Sequence, residues 1–334
     1  MLRAMDSAVA GLRSHQNKMD VVGHNIANVN TFGFKAQTYT FKEAMYQTST
    51  ASTAGGQTGG VNAAQYGYGT LMGSIGMDMT ASTPSYVGGF NASIDGDGFF
   101  ITAPSKIGMT GTGDLGVAKD SFKGQSFEYT RVGQFLLDSD GYVVDANGNY
   151  VYGFRAELEA KPNDKVVTTT GYEEKLKPLR VPLIEKDLAG AAVNDTEGET
   201  QASPSITIEI NNVGEITATV KYDATGADGN ETQDKVNVSL GKIAIATFQN
   251  PSGVTKLGGN YYQAKEGDNT GQGVATAPGE AGTASLMGGF IEASNVDLAK
   301  EFADMITTHR GFQANSKMIT VSDEMLSDLV AMKR

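Results

Sequence analysis

The sequence of 334 residues contains no cysteine and no tryptophan. Without cysteine the chain cannot form disulfide bonds, thiolate nucleophiles or thiolate metal sites, and cysteine pairing carries no information about its redox compartment. Acidic residues outnumber basic residues by 38 to 26, which gives a formal net charge of −12. Because nucleic acids and anionic membranes repel such a charge, we expect the chain to bind neither.

Long apolar runs are also missing. No stretch is apolar over the roughly 18 residues needed to span a bilayer, so no membrane insertion is expected. The first residues, Met-Leu-Arg-Ala-Met-Asp, place a charge pair where a cleaved signal peptide has its apolar core. Two locations therefore stay open: the cytoplasm, or a destination reached by a route that reads an uncleaved amino terminus.

Residues with catalytic chemistry are few. The three histidines lie in predicted helices, and the nine-residue spacing of His15 and His24 does not place both side chains on one metal ion; the third is His309. No phosphate-binding loop of the Gly-x-x-x-x-Gly-Lys-Ser/Thr type occurs. The sequence therefore predicts a protein that is not an enzyme, with no catalytic residue, no metal site and no cofactor.

Two acidic turns leave one alternative open. Asp95-Gly-Asp97 and the Asp138-to-Asp145 segment have the closely spaced carboxylates that hard cations favour. The second turn lacks the register and terminal Glu of an EF-hand, which favours ordinary hairpin turns. A secreted calcium-binding or carbohydrate-binding β module nevertheless stays as an interpretation from a different functional class.

Both ends of the chain have the apolar spacing of a coiled-coil helix. These seams predict two terminal helices, and a helix with one apolar stripe needs a partner, for which the other terminus is the first candidate. The amino-terminal seam consists of Leu2, Met5, Val9, Leu12, Met19 and Ile26. The carboxyl-terminal seam consists of Leu298, Phe302, Met305, Phe312, Ile319, Leu326 and Val330.

Turn and capping signals set the bounds of these helices. The first helix should end near Asn28–Asn30, ahead of a Gly33 that can adopt positive φ. Ser294 and Asp297 have the spacing of a capping box, which predicts that the second helix begins at Ser294. Residues 1–30 and 293–334 are thus expected to form one terminal helical core domain.

The chain between the helices changes character twice. Residues 44–77 contain no charged side chain and few large apolar ones. This composition favours either a flexible linker or an extended segment, 31–77, that becomes ordered against neighbouring subunits. Residues 78–292 alternate with period two between glycine turns, which predicts a β-rich middle domain. The acidic stretch around 187–204 predicts a small surface insertion within 156–240.

Several motifs resemble the flagellar rod and hook axial protein family. The first is Asn25-Ile26-Ala27-Asn28-Val29-Asn30-Thr31-Phe-Gly33-Phe34-Lys35, at the amino-terminal signature of that family. The segments at 93–100, 129–135 and 140–144 resemble its body. Ala293-Ser-Asn-Val-Asp-Leu-Ala299 and Arg310-Gly-Phe-Gln-Ala-Asn-Ser-Lys317 resemble its carboxyl-terminal helix. Phe312-Gln313 and Asp297-Leu298-Ala299 are hook-like, so we favour a hook protein, with a distal rod protein as the alternative.

The resemblance implies a structural subunit that polymerises into a hollow helical tube. It implies that the terminal seams are buried between subunits, so that ordering of the ends and assembly are one thermodynamic event. It also implies partners: copies of this chain, the flagellar rod, hook cap and hook-filament junction proteins, and the flagellar export apparatus. Export would follow the flagellar type III route to the extracellular hook and basal body, without cleavage of a signal peptide.

Overall fold

The computed structural model describes residues 2–55, 59–107, 109–110, 113–114, 116–120, 122–160, 167–180, 207–225, 231–280 and 283–332. The surface insertion predicted around 187–204 lies outside these residues. Within them the chain is mainly β with one long helix towards each terminus, as predicted. Neither helix is long and apolar enough to cross a membrane.

The described chain divides into two compact units. Unit 1 contains residues 1–30, 35–78 and 295–334, and unit 2 contains residues 31–34 and 79–294. Both helices belong to unit 1: α1 is Leu2–Ala27 and α2 is Leu298–Met332. The chain therefore begins and ends in the same unit, with the larger unit formed by the residues between.

Unit 1 also contains a long two-stranded ribbon. Its strands are β1 Gln37–Glu43, β2 Tyr46–Thr50, β3 Ala64–Gly67 and β4 Thr70–Met77. β1 pairs antiparallel with β4 and β2 with β3, and the bonds from Ala44 N to Gly69 O and from Tyr68 N to Met45 O join the two pairs. With about 3.3 Å of rise per residue, each arm is roughly 50 Å long. The segment expected to be extended and linking is thus a paired ribbon.

Local chemistry explains where the helices end and begin. α1 ends at Ala27, and Gly33 has φ +66, as its predicted role in the following turn requires. The predicted capping residue of α2 is wrong. Asp297 caps the helix, because its Oδ1 accepts bonds from Ala299 N at 2.9 Å and Lys300 N at 3.3 Å. The carboxylate at this position therefore binds the first turn directly, and the helix begins at Leu298 rather than Ser294.

Unit 2 is built from short and long antiparallel strands. They are β5 Pro84–Tyr86, β6 Ala92–Asp95, β7 Phe99–Ala103, β8 Met109–Thr110, β9 Gly113–Asp114, β10 Val117–Ala118, β11 Glu128–Thr130, β12 Phe135–Leu137, β13 Val143–Asp145, β14 Tyr150–Ala160, β15 Val167–Pro178, β16 Thr207–Ile210, β17 Glu215–Thr225, β18 Glu231–Ile243, β19 Ile245–Phe248, β20 Thr255–Gly258, β21 Tyr261–Gln263, β22 Gly273–Thr276, β23 Ser285–Gly288 and β24 Phe290–Glu292. The main sheet has the order β16-β17-β18-β14-β7-β11-β21-β20, and β24 and β23 return to pair with β5 and β6. The last two strands of unit 2 therefore pair with its first two strands.

The core of unit 2 follows the apolar positions of these strands. β7 is buried along its whole length, because it pairs on both sides and both of its faces are covered. Phe100 packs edge-to-face on Phe135 at 5.2 Å between ring centroids. On the other face of the strand, Phe99 packs against Tyr262 at 5.4 Å and Phe248 at 6.0 Å. These contacts join strands that are distant in sequence into one apolar core.

The predicted turn at Asp138 forms, a further turn follows at Asp145, and the carboxylates of both residues accept bonds from backbone amides. Gly141 N bonds to Asp138 O and Gly148 N to Asp145 O, and both glycines have positive φ. Asp145 Oδ1 also accepts bonds from two backbone amides, at 2.9 Å and 3.0 Å. Since these acidic side chains bind backbone amides of their own turns, the structure gives them the role of turn residues.

A buried ion pair lies where the chain of unit 2 approaches its end. Arg131 and Glu292 are almost completely buried, with Nη1 and Oε2 3.5 Å apart. Arg131 Nη1 also donates to Gly96 O, and Glu292 Oε1 accepts from Ser82 N. Burial lowers the pKa of the Arg131 guanidinium, and the Glu292 carboxylate opposes that shift. The pair thereby joins β24, the loop after β11 and the residues before β5.

Candidate functional site

The two helices of unit 1 pack antiparallel, and glycines mark their closest approach. A Cβ added to Gly11 would lie 2.7 Å from Asn315 Nδ2, and one added to Gly311 would lie 2.6 Å from His15 Cε1. The register 11-to-315 and 15-to-311 places the start of α1 beside residue 324 of α2. Residues 325–332 of α2 therefore extend past the start of α1 by roughly 12 Å of helix.

The fully buried residues of the two helices are mostly small or polar. The buried positions of α1 are Ala8, Gly11, Ser14, Val21, Val22 and Asn25. The buried positions of α2 are Glu301, Thr308 and Ser322. Apart from Val21 and Val22, these fully buried residues bury little apolar area and contribute little hydrophobic stabilisation.

The predicted seam residues whose side chains are described are half-buried or exposed, and none is fully buried. Half-buried positions are Met5, Leu12, Met19, Ile26, Met305, Phe312, Ile319 and Leu326. Exposed positions are Val9, Leu298, Phe302 and Val330. The side chain of Leu2 lies outside the described part. Within one copy of the chain, the apolar stripes are therefore only partly covered.

Asn25 connects three elements of unit 1. Its Nδ2 donates to Gln37 O at 2.8 Å and to Glu301 Oε1 at 3.1 Å, while its Oδ1 accepts from Gln37 N at 2.9 Å. One amide thus joins α1, β1 and α2. This explains why an amide side chain, with both donor and acceptor atoms, stands at this point of the amino-terminal motif.

The rest of that motif forms the turn after α1. Ile26 and Ala27 complete the helix, Asn28 Nδ2 bonds to His24 O at 2.9 Å, and Val29, Asn30 and Thr31 continue the turn. Phe34 and Lys35 are buried. A second asparagine, Asn295, accepts a bond from Ala36 N and donates to Asp78 O. Motif residues from both ends of the chain therefore fix the backbone at the base of the ribbon.

Two titratable groups lie at the helix contact. Burial lowers the pKa of His15, and Lys18 adds to that effect. Burial raises the pKa of Glu301, against the opposing hydrogen bond from Asn25. Lys18 Nζ also forms an ion pair with Asp304 Oδ1 at 3.2 Å. Burial thus disfavours the charged form of both groups, the protonated ring of His15 and the ionised carboxylate of Glu301.

Uncovered apolar side chains are concentrated in unit 1. Among the described residues, seventeen exposed large apolar side chains belong to unit 1 and eight to unit 2, although unit 2 is the larger. On α2 they are Leu298, Phe302, Ile306, Met318, Met325, Leu329, Val330 and Met332. A surface with this composition is typical of a protein–protein interface.

The other candidates from the sequence do not form a site. The described residues contain no group of three or more His, Asp or Glu side chains placed to hold a metal ion. His309 is exposed on α2, and His24 lies in the last turn of α1. The small residues Gly11, Ser14 and Gly311 were missed by a search for apolar stripes; the signal that could have found them is the repetition of small side chains along one helix face.

Comparison with known proteins gives the family. Residues 5–35 match the family described as "Flagella basal body rod protein", and residues 287–332 match "Flagellar basal body rod FlgEFG protein C-terminal". The chain is 35% identical to the flagellar basal-body rod protein FlgG of Bacillus subtilis, over 100% of both chains. This chain belongs to the flagellar rod and hook protein family. It is also 29% identical to the flagellar hook protein FlgE of Borreliella burgdorferi, over 100% of both chains.

The two family matches coincide with the two helical ends of unit 1. Residues 5–35 contain most of α1 with the following turn, and residues 287–332 contain all of α2. The chain thus belongs to a family of structural flagellar rod and hook proteins. Asn25 and Asn295 themselves lie inside the two matched regions.

Proposed function

We propose that this chain is the structural subunit of a flagellar hook. In this proposal it polymerises into a hollow helical tube that acts as a universal joint between the rod and the filament. The observation that carries the proposal is the exposed apolar surface of α2, above all Phe302, Ile306 and Met332, which stay 50%, 62% and 76% exposed in a single chain. Copies of the same chain would cover it in a tube.

The proposed arrangement assigns a place to each part of the chain. Residues 1–30 and 293–334 form a coiled-coil-like core domain that lines the tube, and the predicted seam residues pack between subunits. Residues 31–77 lie beside this core, and the β-rich residues 78–292 form the outer part. The weak apolar contact between α1 and α2 supports this arrangement, because helices held by small and polar side chains gain most of their stability from further partners.

The proposed partners follow from the position of a hook. They are other copies of this chain, the rod, the hook cap and the hook-filament junction proteins, together with the export apparatus. Export would use the flagellar type III route without cleavage of a signal peptide. We infer no catalytic role, because the family to which the chain belongs is a structural one.

A distal rod subunit is the second candidate. The alignment with the Bacillus subtilis rod protein is 336 positions long, close to the 334 residues of this chain. Alignments with the flagellar hook proteins FlgE of Borreliella burgdorferi and Treponema pallidum extend over 467 and 484 positions, so those relatives contain long segments that this chain lacks. The Phe312-Gln313 and Asp297-Leu298-Ala299 segments, on the other hand, resemble hook proteins.

The experiment that separates the two candidates is electron cryo-tomography of cells from which the gene has been deleted. A hook subunit predicts basal bodies with a complete rod and no hook, whereas a distal rod subunit predicts a rod that ends early. Immunogold labelling of the intact organelle should place the chain on the curved hook. Cells that keep both rod and hook would contradict the proposal and its alternative.

A further inference from the structure

The chain concentrates its oxidisable sulfur in unit 1. It contains 13 methionines but no cysteine and no tryptophan, so thioether sulfur is its main target for two-electron oxidants such as hydrogen peroxide. Ten of the methionines belong to unit 1, and only Met79, Met109 and Met287 belong to unit 2. The smaller unit, which contains the proposed assembly surface, thus contains most of the reactive groups.

Three of these methionines form a stripe on α2. Met318, Met325 and Met332 recur every seven residues, which places them along one side of the helix. All three are exposed, by 53%, 45% and 76%. Met332 lies on the part of α2 that extends past the start of α1, so α1 cannot shield it. We call these three residues the methionine stripe.

The ribbon adds two further exposed methionines. Met45 lies between β1 and β2 and is 81% exposed, and Met72 lies on β4 and is 51% exposed. In unit 2, by contrast, Met79 is 9% exposed. An oxidant in solution therefore reaches the methionines of the ribbon and of α2 in a free subunit, while Met79 provides an internal reference.

We propose that the methionine stripe is a site of reversible sulfoxide formation that prevents oxidised subunits from assembling. The proposal rests on the proposed function, because it takes the surface of α2 to be buried between copies of the chain. In the reaction the thioether sulfur attacks one peroxide oxygen, the O–O bond breaks and an S–O bond forms. Sulfur loses two electrons, and the departing hydroxide takes up a proton and leaves as water.

The physical reason is the change of polarity at a surface that has to be buried. Methionine is apolar and adaptable, so it packs well against irregular neighbours. The sulfoxide is polar and rigidly chiral, and burying it without a hydrogen-bond donor is unfavourable. The assembled tube reverses the relation, because burial between subunits shields the same sulfurs from oxidant. Assembly and oxidation therefore compete for one surface.

The first test is site-resolved oxidation of the purified full-length chain. A timed pulse of hydrogen peroxide, followed by peptide mass spectrometry, should show Met318, Met325 and Met332 oxidised roughly tenfold faster than Met79. Assembled polymer given the same pulse should show slow oxidation at the stripe. Equal rates at Met79 and at the stripe, or unchanged rates in the polymer, would overturn the proposal.

The second test measures assembly of the oxidised chain by sedimentation and electron microscopy. Oxidised wild-type chain should form few or no polymers, and reduction with both epimer-specific methionine sulfoxide reductases should restore them. A variant with Met318→Leu, Met325→Leu and Met332→Leu should assemble before and after the pulse, whereas Met287→Leu should stay sensitive. A triple variant as sensitive as the wild type would refute the stripe's role.

The two tests separate this inference from the proposed function. If the untreated wild-type chain forms no polymer under any condition, the proposed function fails and the assembly part of the inference is overturned with it. If the untreated chain assembles and the oxidised chain assembles equally well, the inference alone is overturned. The oxidation rates of the methionine stripe and of Met79 are compared in the free chain. That comparison therefore gives a result whether or not the chain assembles.

Discussion

Some positions in unit 2 require glycine because of the local backbone structure. Gly133 is the strongest example, because a Cβ at this position would lie 1.7 Å from Ala92 O, and the same two residues are joined by the bond from Ala92 N to Gly133 O. The glycine is required by this close approach of two backbones. Gly148 differs, because an added Cβ would meet no atom within 4 Å and only its φ of +86 favours glycine.

Substituting these two glycines separates a clash from backbone strain. Gly133→Ala should destabilise unit 2 by more than about 3 kcal/mol, because a backbone oxygen cannot move away as a side chain can. Gly148→Ala should cost only about 1–2 kcal/mol, the ordinary cost of positive φ for an L residue. Urea unfolding followed by far-ultraviolet circular dichroism measures both. Equal losses in the two variants would show that close approach does not matter at Gly133.

Charge burial is the second effect at the scale of the residue. Glu292→Gln removes the carboxylate that faces Arg131 in a buried environment, so the guanidinium keeps its charge without its counterion. We expect a loss of about 3–5 kcal/mol in the free energy of unfolding of unit 2. The matched control is Asp304→Asn in the partly exposed pair with Lys18, which should cost less than about 1 kcal/mol.

The comparison of Glu292→Gln with Asp304→Asn decides whether burial gives the pair its importance. If both substitutions cost the same, the location of the Arg131–Glu292 pair has no energetic consequence. The double variant Arg131→Met/Glu292→Leu adds a further measurement: part of the single-variant loss should be recovered, because no buried charge is left unpaired.

At the scale of the element, the sequence predicted the helices better than their contacts. The two helical ends, the turn at Gly33 and the hairpins at Asp138 and Asp145 depend on local signals that a few adjacent residues carry. The inner face of the α1–α2 pair depends instead on which side chains allow close approach, and Gly11 and Gly311 have no apolar signature. An apolar stripe indicates that a helix face is buried against a partner. It does not indicate whether that partner lies in the same copy of the chain or in another copy.

The ribbon and the buried ion pair likewise depend on contacts that local sequence patterns do not indicate. Residues 44–77 have no charge and few apolar groups, so a linker and a paired ribbon look alike in composition. Only the register of 37 with 77 and of 46 with 67 creates the strands. Arg131 and Glu292 are separated by 161 positions, and no local pattern indicates that they meet. Contacts between residues that are distant in sequence could therefore not be predicted from local patterns.

The helix pair should respond to pH through His15. Its folded-state pKa lies below the ordinary 6.5, so the neutral ring favours packing. This contribution is fully present above the unfolded pKa and is lost as pH falls through the lower folded pKa. Glu301 acts oppositely: its raised pKa gives a contribution present below the ordinary 4.5 and lost as pH rises through the folded value.

His15→Asn isolates the histidine part of this response. The melting temperature of the helical signal at 222 nm should fall in the wild type between pH 7.5 and pH 5.5, and should fall less in the variant. His309→Asn is the control, because His309 is exposed on α2; it should melt like the wild type. A decrease of the same size in the wild type and in His15→Asn would contradict a role for His15.

At the scale of the whole molecule, the two units differ in how their side chains are buried. Unit 2 has an aromatic and aliphatic core, a buried ion pair and turns closed by carboxylates, so it has the contacts of a domain that is stable alone. Unit 1 has a narrow helix contact of small and polar residues and a ribbon with most of its side chains exposed. Within the family to which the chain belongs, this division suits a subunit whose ends gain their stability from neighbouring copies.

Phe302→Ala tests that division most directly. Phe302 is 50% exposed on α2, so its truncation removes little that one copy of the chain buries. Unfolding of the free subunit should change by less than about 0.5 kcal/mol, as for an ordinary surface substitution. If neighbouring copies bury the ring, however, truncation costs each contact about 3–5 kcal/mol, and the cost recurs at every added subunit. We therefore expect a stable, exported monomer, few or no hooks, and cells that do not swim.

Leu136→Ala is the matched control for this prediction, because Leu136 is 52% exposed and lies in unit 2. It removes a similar exposed apolar side chain outside the terminal helices, and its cells should build hooks of normal length. Electron microscopy of purified basal bodies and soft-agar swimming measure both variants. If Phe302→Ala also gives normal hooks and motility, α2 is not an assembly surface. Loss of hooks in both variants would mean that the interface is not confined to unit 1.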